Sequence, residues 1–132
     1  MSTQPISPSN DGDAEVSEAE LVQLARRISH WRRRRDTMLA PIIFADPEWD
    51  ILLDLYAQSG FGRRISMSSL CIAAAVPATT ALRCINAMVD QGVLAKSRDA
   101  NDARRVLVEL TDETKAKMRS WLLQVAGSQI LP

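Results

Sequence analysis

The stretch from Ser66 to Gly92, SMSSLCIAAAVPATTALRCINAMVDQG, decides the fold. Ser66 is a hydroxyl residue suited to cap a helix, and Met67, Leu70, Cys71 and Ala74 follow at helical spacing. Val76-Pro77-Ala78-Thr79 interrupts that helix, and a second one is expected from about Ala78 to Gln91. Ala81, Cys84, Ile85 and Met88 fall on one face of the second helix, and Gly92 provides a left-handed stop. Two short helices separated by a tight turn form a helix-turn-helix pattern.

The chain on the C-terminal side supplies a hairpin. Val93-Leu94-Ala95-Lys96-Ser97 and Val106-Leu107-Val108-Glu109-Leu110 are β-prone, and the charged segment Arg98 to Arg105 between them reads as the tip. Thr111 then caps a last helix with a stripe of Met118, Trp121, Leu122 and Val125 that fades near Gly127. On the N-terminal side, Phe61 to Ile65 forms a short extended segment, preceded by a helix opened by Asp46-Pro47 and ended at Gly60. Its core positions are Trp49, Leu52, Leu53 and Tyr56. Further out, the capping box Ser17-Glu18-Ala19-Glu20 opens a long helix to about Ala40, stopped by Pro41. Leu21, Leu24, Ile28, Trp31 and Met38 repeat along it as a seam that wants a partner helix. Four consecutive arginines, Arg32 to Arg35, cover every side of a helix, so they cannot all serve one face.

Residues 1 to 16 mix Ser, Pro, Asn, Asp and Gly with isolated apolar residues, the composition of a disordered acidic tail. Residues 17 to 132 make the single domain that a length of 132 residues allows. With 46% hydrophobic and 24% charged residues the chain has enough apolar material for a core. No apolar run can span a bilayer and the N-terminus lacks the pattern of a signal peptide, so a cytoplasmic protein without a membrane partner is expected. Two cysteines and one histidine cannot assemble a four-ligand zinc site without carboxylates, and no metal or cofactor is expected. Cys71 and Cys84 read as small buried hydrophobes in a reducing compartment. His30, the single histidine, sits in the arginine-rich first helix with no evident catalytic partner, which argues against an enzyme.

The formal net charge of zero conceals strong segregation. Residues 1 to 20 carry −5, residues 21 to 40 carry +5, residues 41 to 62 carry −4, and residues 63 to 105 carry +4. Local fields of this kind steer a polyanion even where the summed charge does not.

The order helix, helix, strand, helix, helix, hairpin, helix resembles the MarR family of bacterial transcriptional regulators. Met88-Val89-Asp90-Gln91-Gly92-Val93-Leu94, then Asp99, Asp102-Ala103-Arg104-Arg105 and Leu110-Thr111, are similar to that family's helix end, wing tip and return strand. Asp46-Pro47-Glu48-Trp49-Asp50-Ile51-Leu52-Leu53 is similar to its second-helix opening. The resemblance implies a mainly α fold with a small β-hairpin, a winged helix-turn-helix flanked by N- and C-terminal dimerisation helices. It also implies a homodimer that binds double-stranded DNA as a sequence-specific transcriptional regulator, with a small-molecule effector of unspecified identity.

In that reading the recognition helix enters the major groove and presents Thr79, Thr80, Arg83 and Asn86 to phosphates and base edges. Arg98, Arg104 and Arg105 flank a wing that lies along the minor groove, and Asp102 holds an arginine to stiffen the tip. Dimerisation falls to Leu21, Leu24, Ile28, Trp31, Met38, Trp121, Leu122 and Val125. Three positions depart from the family pattern: Leu82 where a hydroxyl residue is usual, Ala103 where a base is frequent, and Lys96 where arginine is common. The competing reading is a winged-helix interaction module that binds another regulator rather than DNA. Bare loss of the basic residues would favour it, and Arg83, Arg98, Arg104 and Arg105 are present.

Overall fold

Ser17 caps the first helix as expected: its Oγ accepts from the Glu20 N–H at 3.2 Å while Glu20 Oε1 accepts from the Ser17 N–H at 2.9 Å. This reciprocal cap starts α1, Glu18–Met38. The computed structural model describes residues 16–42, 44 and 46–128, so the acidic tail, apart from Val16, lies outside the described residues. The remaining elements are α2 (Pro47–Ser59), β1 (Ile65–Ser66), α3 (Met67–Ala73), α4 (Ala78–Asp90), β2 (Leu94–Arg98), β3 (Val106–Leu110) and α5 (Asp112–Ser128).

The two-residue extended segment is more than a connector. β1 pairs antiparallel with β3, Ile65 opposite Val108, so the expected hairpin is a three-stranded sheet in the order β1-β3-β2. β3 is thereby the central strand, and Leu107, Val108 and Leu110 on it are buried. That pairing ties the entry of the helix-turn-helix to the wing.

One core joins the layers, built from Leu21, Ile28, Ile51, Leu53, Tyr56, Leu70, Ile85, Leu94 and Leu122 among others. Tyr56 is fully buried, and its hydroxyl donates to the Glu18 carboxylate, which fixes the start of α1 to α2. Burial and the neighbouring Glu18 carboxylate push the phenol pKa upward, so the hydroxyl stays a donor.

α2 ends where expected, but for a different reason. Gly60 lies in the right-handed region, φ −67°, and is no left-handed cap. Its requirement is steric: a Cβ there would stand 2.2 Å from Val22 Cγ2. The missing side chain lets the end of α2 press against α1. Asp46, expected to cap α2, makes no side-chain cap hydrogen bond. It stands 3.7 Å from Arg32 Nη2 instead.

The arginine run divides its labour around α1. Arg32 Nε donates to Asp50 Oδ1 at 2.8 Å and fastens α1 to α2. Arg33 Nη2 donates to the Ala73 carbonyl at 2.9 Å and reaches the end of α3. Arg35 pairs with Asp36 at 3.0 Å and lies 4.0 Å over the Phe44 ring. Arg34 makes no hydrogen bond or ion pair among the described residues.

Part of the expected dimer seam is covered within the chain itself. Leu21, Leu24, Ile28 and Leu122 are buried inside this one chain, because α1 packs on both α2 and α5. Trp121 stacks edge-on to Trp49, centroids 4.8 Å apart, within the same chain. The unsatisfied part of the seam is its far end: Trp31 is 55% exposed and Met38 68% exposed, and Val125 is only half-buried.

Candidate nucleic-acid interface

Ser66 anchors the first helix of the motif. Its Oγ accepts from the Ser69 N–H at 3.2 Å and bonds the Ser69 hydroxyl at 3.0 Å, so this buried polar group is satisfied. Ala75 in the following turn adopts φ 59°, a left-handed conformation that a non-glycine residue rarely takes. Pro77 precedes α4, and Gly92 after it adopts φ 80°, the left-handed stop expected of it.

α4 buries Ala81, Ile85 and Met88 and leaves Thr79, Thr80, Leu82, Arg83 and Ala87 exposed. Arg83 makes no ion pair among the described residues and projects freely from the exposed face. Asn86 differs from expectation. It is half-buried and accepts from Lys96 Nζ at 3.0 Å, so it links α4 to β2. Cys84 and Cys71 are half-buried rather than fully buried. Burial, with the Glu48 carboxylate beside it, pushes the Cys84 thiol up to about 11.

The wing tip is organised by Asp99, which the resemblance places in the wing without a bonding role. Asp99 donates its N–H to the Arg105 carbonyl at 2.9 Å, accepts the Asn101 N–H on Oδ1 at 2.9 Å, and pairs with Arg105 Nη1 through Oδ2 at 3.3 Å. Asp102 holds Arg104: its Oδ1 accepts from Arg104 Nε at 3.4 Å and from the Arg104 backbone N–H at 3.1 Å. Arg98 Nη1 donates to the Ala103 carbonyl at 2.6 Å and closes the loop from the other side. Arg98 and Arg105 are therefore engaged within the wing, whereas the Arg104 side chain is 93% exposed. The signal for Asp99 was its position three residues before Asp102, the spacing of a turn.

One open groove of about 1260 Å³ connects these parts. Thr79 and Leu82 from α4, Cys71 and Ile72 from α3, and Arg104 and Arg105 from the wing all line it. Ile72 is 83% exposed and Leu82 is 42% exposed, so cationic and apolar groups share this surface. The sequence reading placed Thr79, Arg104 and Arg105 here and missed Ile72, whose position opposite Leu70 on a seven-residue helix carried the signal. Among the described residues no single helix is long and apolar enough to cross a membrane. No group of three or more His, Cys, Asp or Glu residues there is arranged to hold a metal ion.

Comparison with known proteins agrees with this architecture. The family model described as transcriptional regulator SarA/Rot matches residues 47–120, more than half the chain. Among solved structures, a glycine-to-lysine mutant of S. aureus MepR is similar at 19% identity, covering 79% of this chain and 74% of that one with a TM-score of 0.53. A cysteine-to-serine mutant of MarR from E. coli, complexed with operator DNA, is similar at 22% identity over 83% of this chain and 78% of that one, TM-score 0.51. NadR in complex with 4-hydroxyphenylacetate is similar at 21% identity over 98% of this chain and 81% of that one, TM-score 0.51. No curated protein sequence matches the chain. Matches at this level of identity establish the winged-helix fold, and the family match goes further: the chain belongs to the SarA/Rot family of transcriptional regulators.

Proposed function

We propose that the protein is a sequence-specific regulator that binds duplex DNA as a homodimer, with α4 in the major groove and the wing at the adjacent minor groove. The observation that carries this reading is the shared groove, in which the N-terminal turn of α4 and the wing tip face the same side of the molecule. Thr79 and Thr80 are suited to phosphates or thymine methyls, and Arg83 to a guanine edge by two parallel hydrogen bonds. Arg104 is the exposed wing cation, with Arg98 and Arg105 shaping the loop around it. A homodimer is supported by the exposed Trp31 and Met38, which share one side of α1. Its place of action is then the cytoplasm, where the DNA is, and its activity is binding rather than catalysis.

Arg83→Ala and Arg104→Ala should fail in different ways. Loss of Arg83 should cost about 1–3 kcal/mol on the specific site and relax preference at one base position per half-site. Loss of Arg104 should weaken all duplexes more evenly and make the salt dependence shallower by about one phosphate contact. A salt series on specific and scrambled duplexes distinguishes them. If neither variant moves affinity by even about threefold, where each contact is worth ~1 kcal/mol or more, DNA reading by this face is refuted. The exposed Ile72 and Leu82 in the groove would then favour an interaction module that binds another regulator.

A further inference from the structure

A second groove, about 390 Å³, lies between α1 and α2 and shares no lining residue with the groove beside the wing. Arg26, Arg33 and Arg34 of α1 and Arg63 beyond α2 line it, against one carboxylate, Asp54. Elsewhere five arginines stand beside carboxylates, Arg32 by Asp50, Arg35 by Asp36, Arg104 by Asp102, Arg105 by Asp99 and Arg119 by Glu18, whereas Arg27, Arg64, Arg83 and Arg98 make no ion pair among the described residues and line no part of this groove. None of the four arginines of this groove makes an ion pair among the described residues.

Two of them are held in place without a counter-charge. Arg26 and Arg63 lie 5.5 Å and 5.0 Å from the Phe61 ring centroid, and Arg63 also donates to Gln58 Oε1 at 3.3 Å. Burial raises the Asp54 carboxyl above its usual value, opposed by the Gln58 hydrogen bond and the Arg33 charge, and it is the one carboxylate set against four guanidinium groups. Four guanidinium groups around one concavity with a single carboxylate set up a local positive field that favours an anion. Guanidinium forks suit phosphate, and the volume is that of a small-molecule site rather than a duplex groove.

We propose that the α1–α2 groove is an effector site for a small phosphorylated anion, and that Arg33 couples its occupancy to the recognition helix. Arg33 is the shared part: it lines the groove and also donates to the carbonyl of Ala73, the last residue of α3 before the turn into α4. An anion that draws the Arg33 guanidinium into the groove removes that tie and biases the helix-turn-helix. The site stands independently of the DNA reading, and only the coupling rests on it.

The test uses the full chain and inorganic pyrophosphate at constant ionic strength. Calorimetric titration should give one saturable site per chain, and Arg34→Glu should weaken it by about tenfold or more. Arg34→Gln, which removes the charge without reversing it and keeps a polar side chain, should give an intermediate loss at an unchanged thermal midpoint. Arg83→Glu, which lies outside the lining of this groove, should leave pyrophosphate binding unchanged. On a DNA complex, pyrophosphate should release the wild-type protein at lower concentration than Arg34→Glu. Absence of saturable binding to the wild type, or loss of it in Arg83→Glu, overturns the site while leaving the DNA reading intact. Binding without any difference in DNA release between wild type and Arg34→Glu overturns the coupling. Equal weakening of DNA and pyrophosphate by Arg34→Glu in the absence of effector makes the groove part of the DNA footprint and overturns the proposal.

Discussion

Gly60→Ala is the sharpest test of how α1 and α2 are packed. The new Cβ would fall 2.2 Å from Val22 Cγ2 and 3.1 Å from both Cβ and Cγ1 of the same side chain. Carbon atoms rest at about 3.5–4.0 Å, so the overlap exceeds roughly 1 Å. Rotation about χ1 of Val22 gives no relief, because the whole branched group crowds the position and one methyl replaces another. The end of α2 must withdraw from α1, an overpacking cost of about 1–3 kcal/mol. Against this stands a gain: the φ of −67° is open to alanine, which loses less backbone freedom on folding, worth about 0.4–1 kcal/mol. The steric term wins, leaving a net loss of about 0.5–2 kcal/mol. For a chain of 132 residues that lowers Tm by about 2–10 °C. Chemical and thermal unfolding of Gly60→Ala, Val22→Ala and the double variant measure it. The double variant should be more stable than the sum of the two single losses predicts, because Val22→Ala removes the obstruction. A Gly60→Ala protein as stable as the wild type, or more so, would refute the steric explanation.

Replacing Trp31 and Met38 together by serine removes the exposed apolar end of α1 and leaves the buried stripe of Leu21, Leu24 and Ile28 intact. Light scattering should fall from about twice 14.6 kDa to 14.6 kDa, and an unchanged mass at micromolar concentration would exclude this surface from the dimer. Cys84, with its thiol pushed up to about 11, is almost wholly protonated near neutral pH. Maleimide should therefore label it slowly in the native state, and rapid native labelling would show that the α4 face opens.

The legibility of this fold follows the physics of each signal. Capping and periodicity are local, so the start of α1 at Ser17, the cap of α3 at Ser66 and the left-handed stop at Gly92 could be read from neighbouring residues. Which partner buries a stripe is not local. The α1 seam from Leu21 to Ile28 packs inside its own chain, and no sequence spacing distinguishes that from burial in a dimer. The same limit applies to β1, whose two residues become a strand only because β3 lies beside them. At the candidate site, the cationic residue types were legible but their engagement was not. Arg98 and Arg105 bond within the wing, Asn86 is taken by Lys96, and Asp99 emerges as an organiser, all through contacts that depend on how the hairpin folds back.

The central claim, that α4 and the wing read a DNA sequence, is most directly tested by selecting bound duplexes from a random pool with the purified full chain. The expected result is one enriched motif with two-fold symmetry and half-sites about 10 base pairs apart. Arg83→Ala should enrich the same half-site spacing with one position relaxed in each half. A pool that shows no enrichment over its starting composition, at salt low enough for non-specific binding to be seen, would contradict the claim.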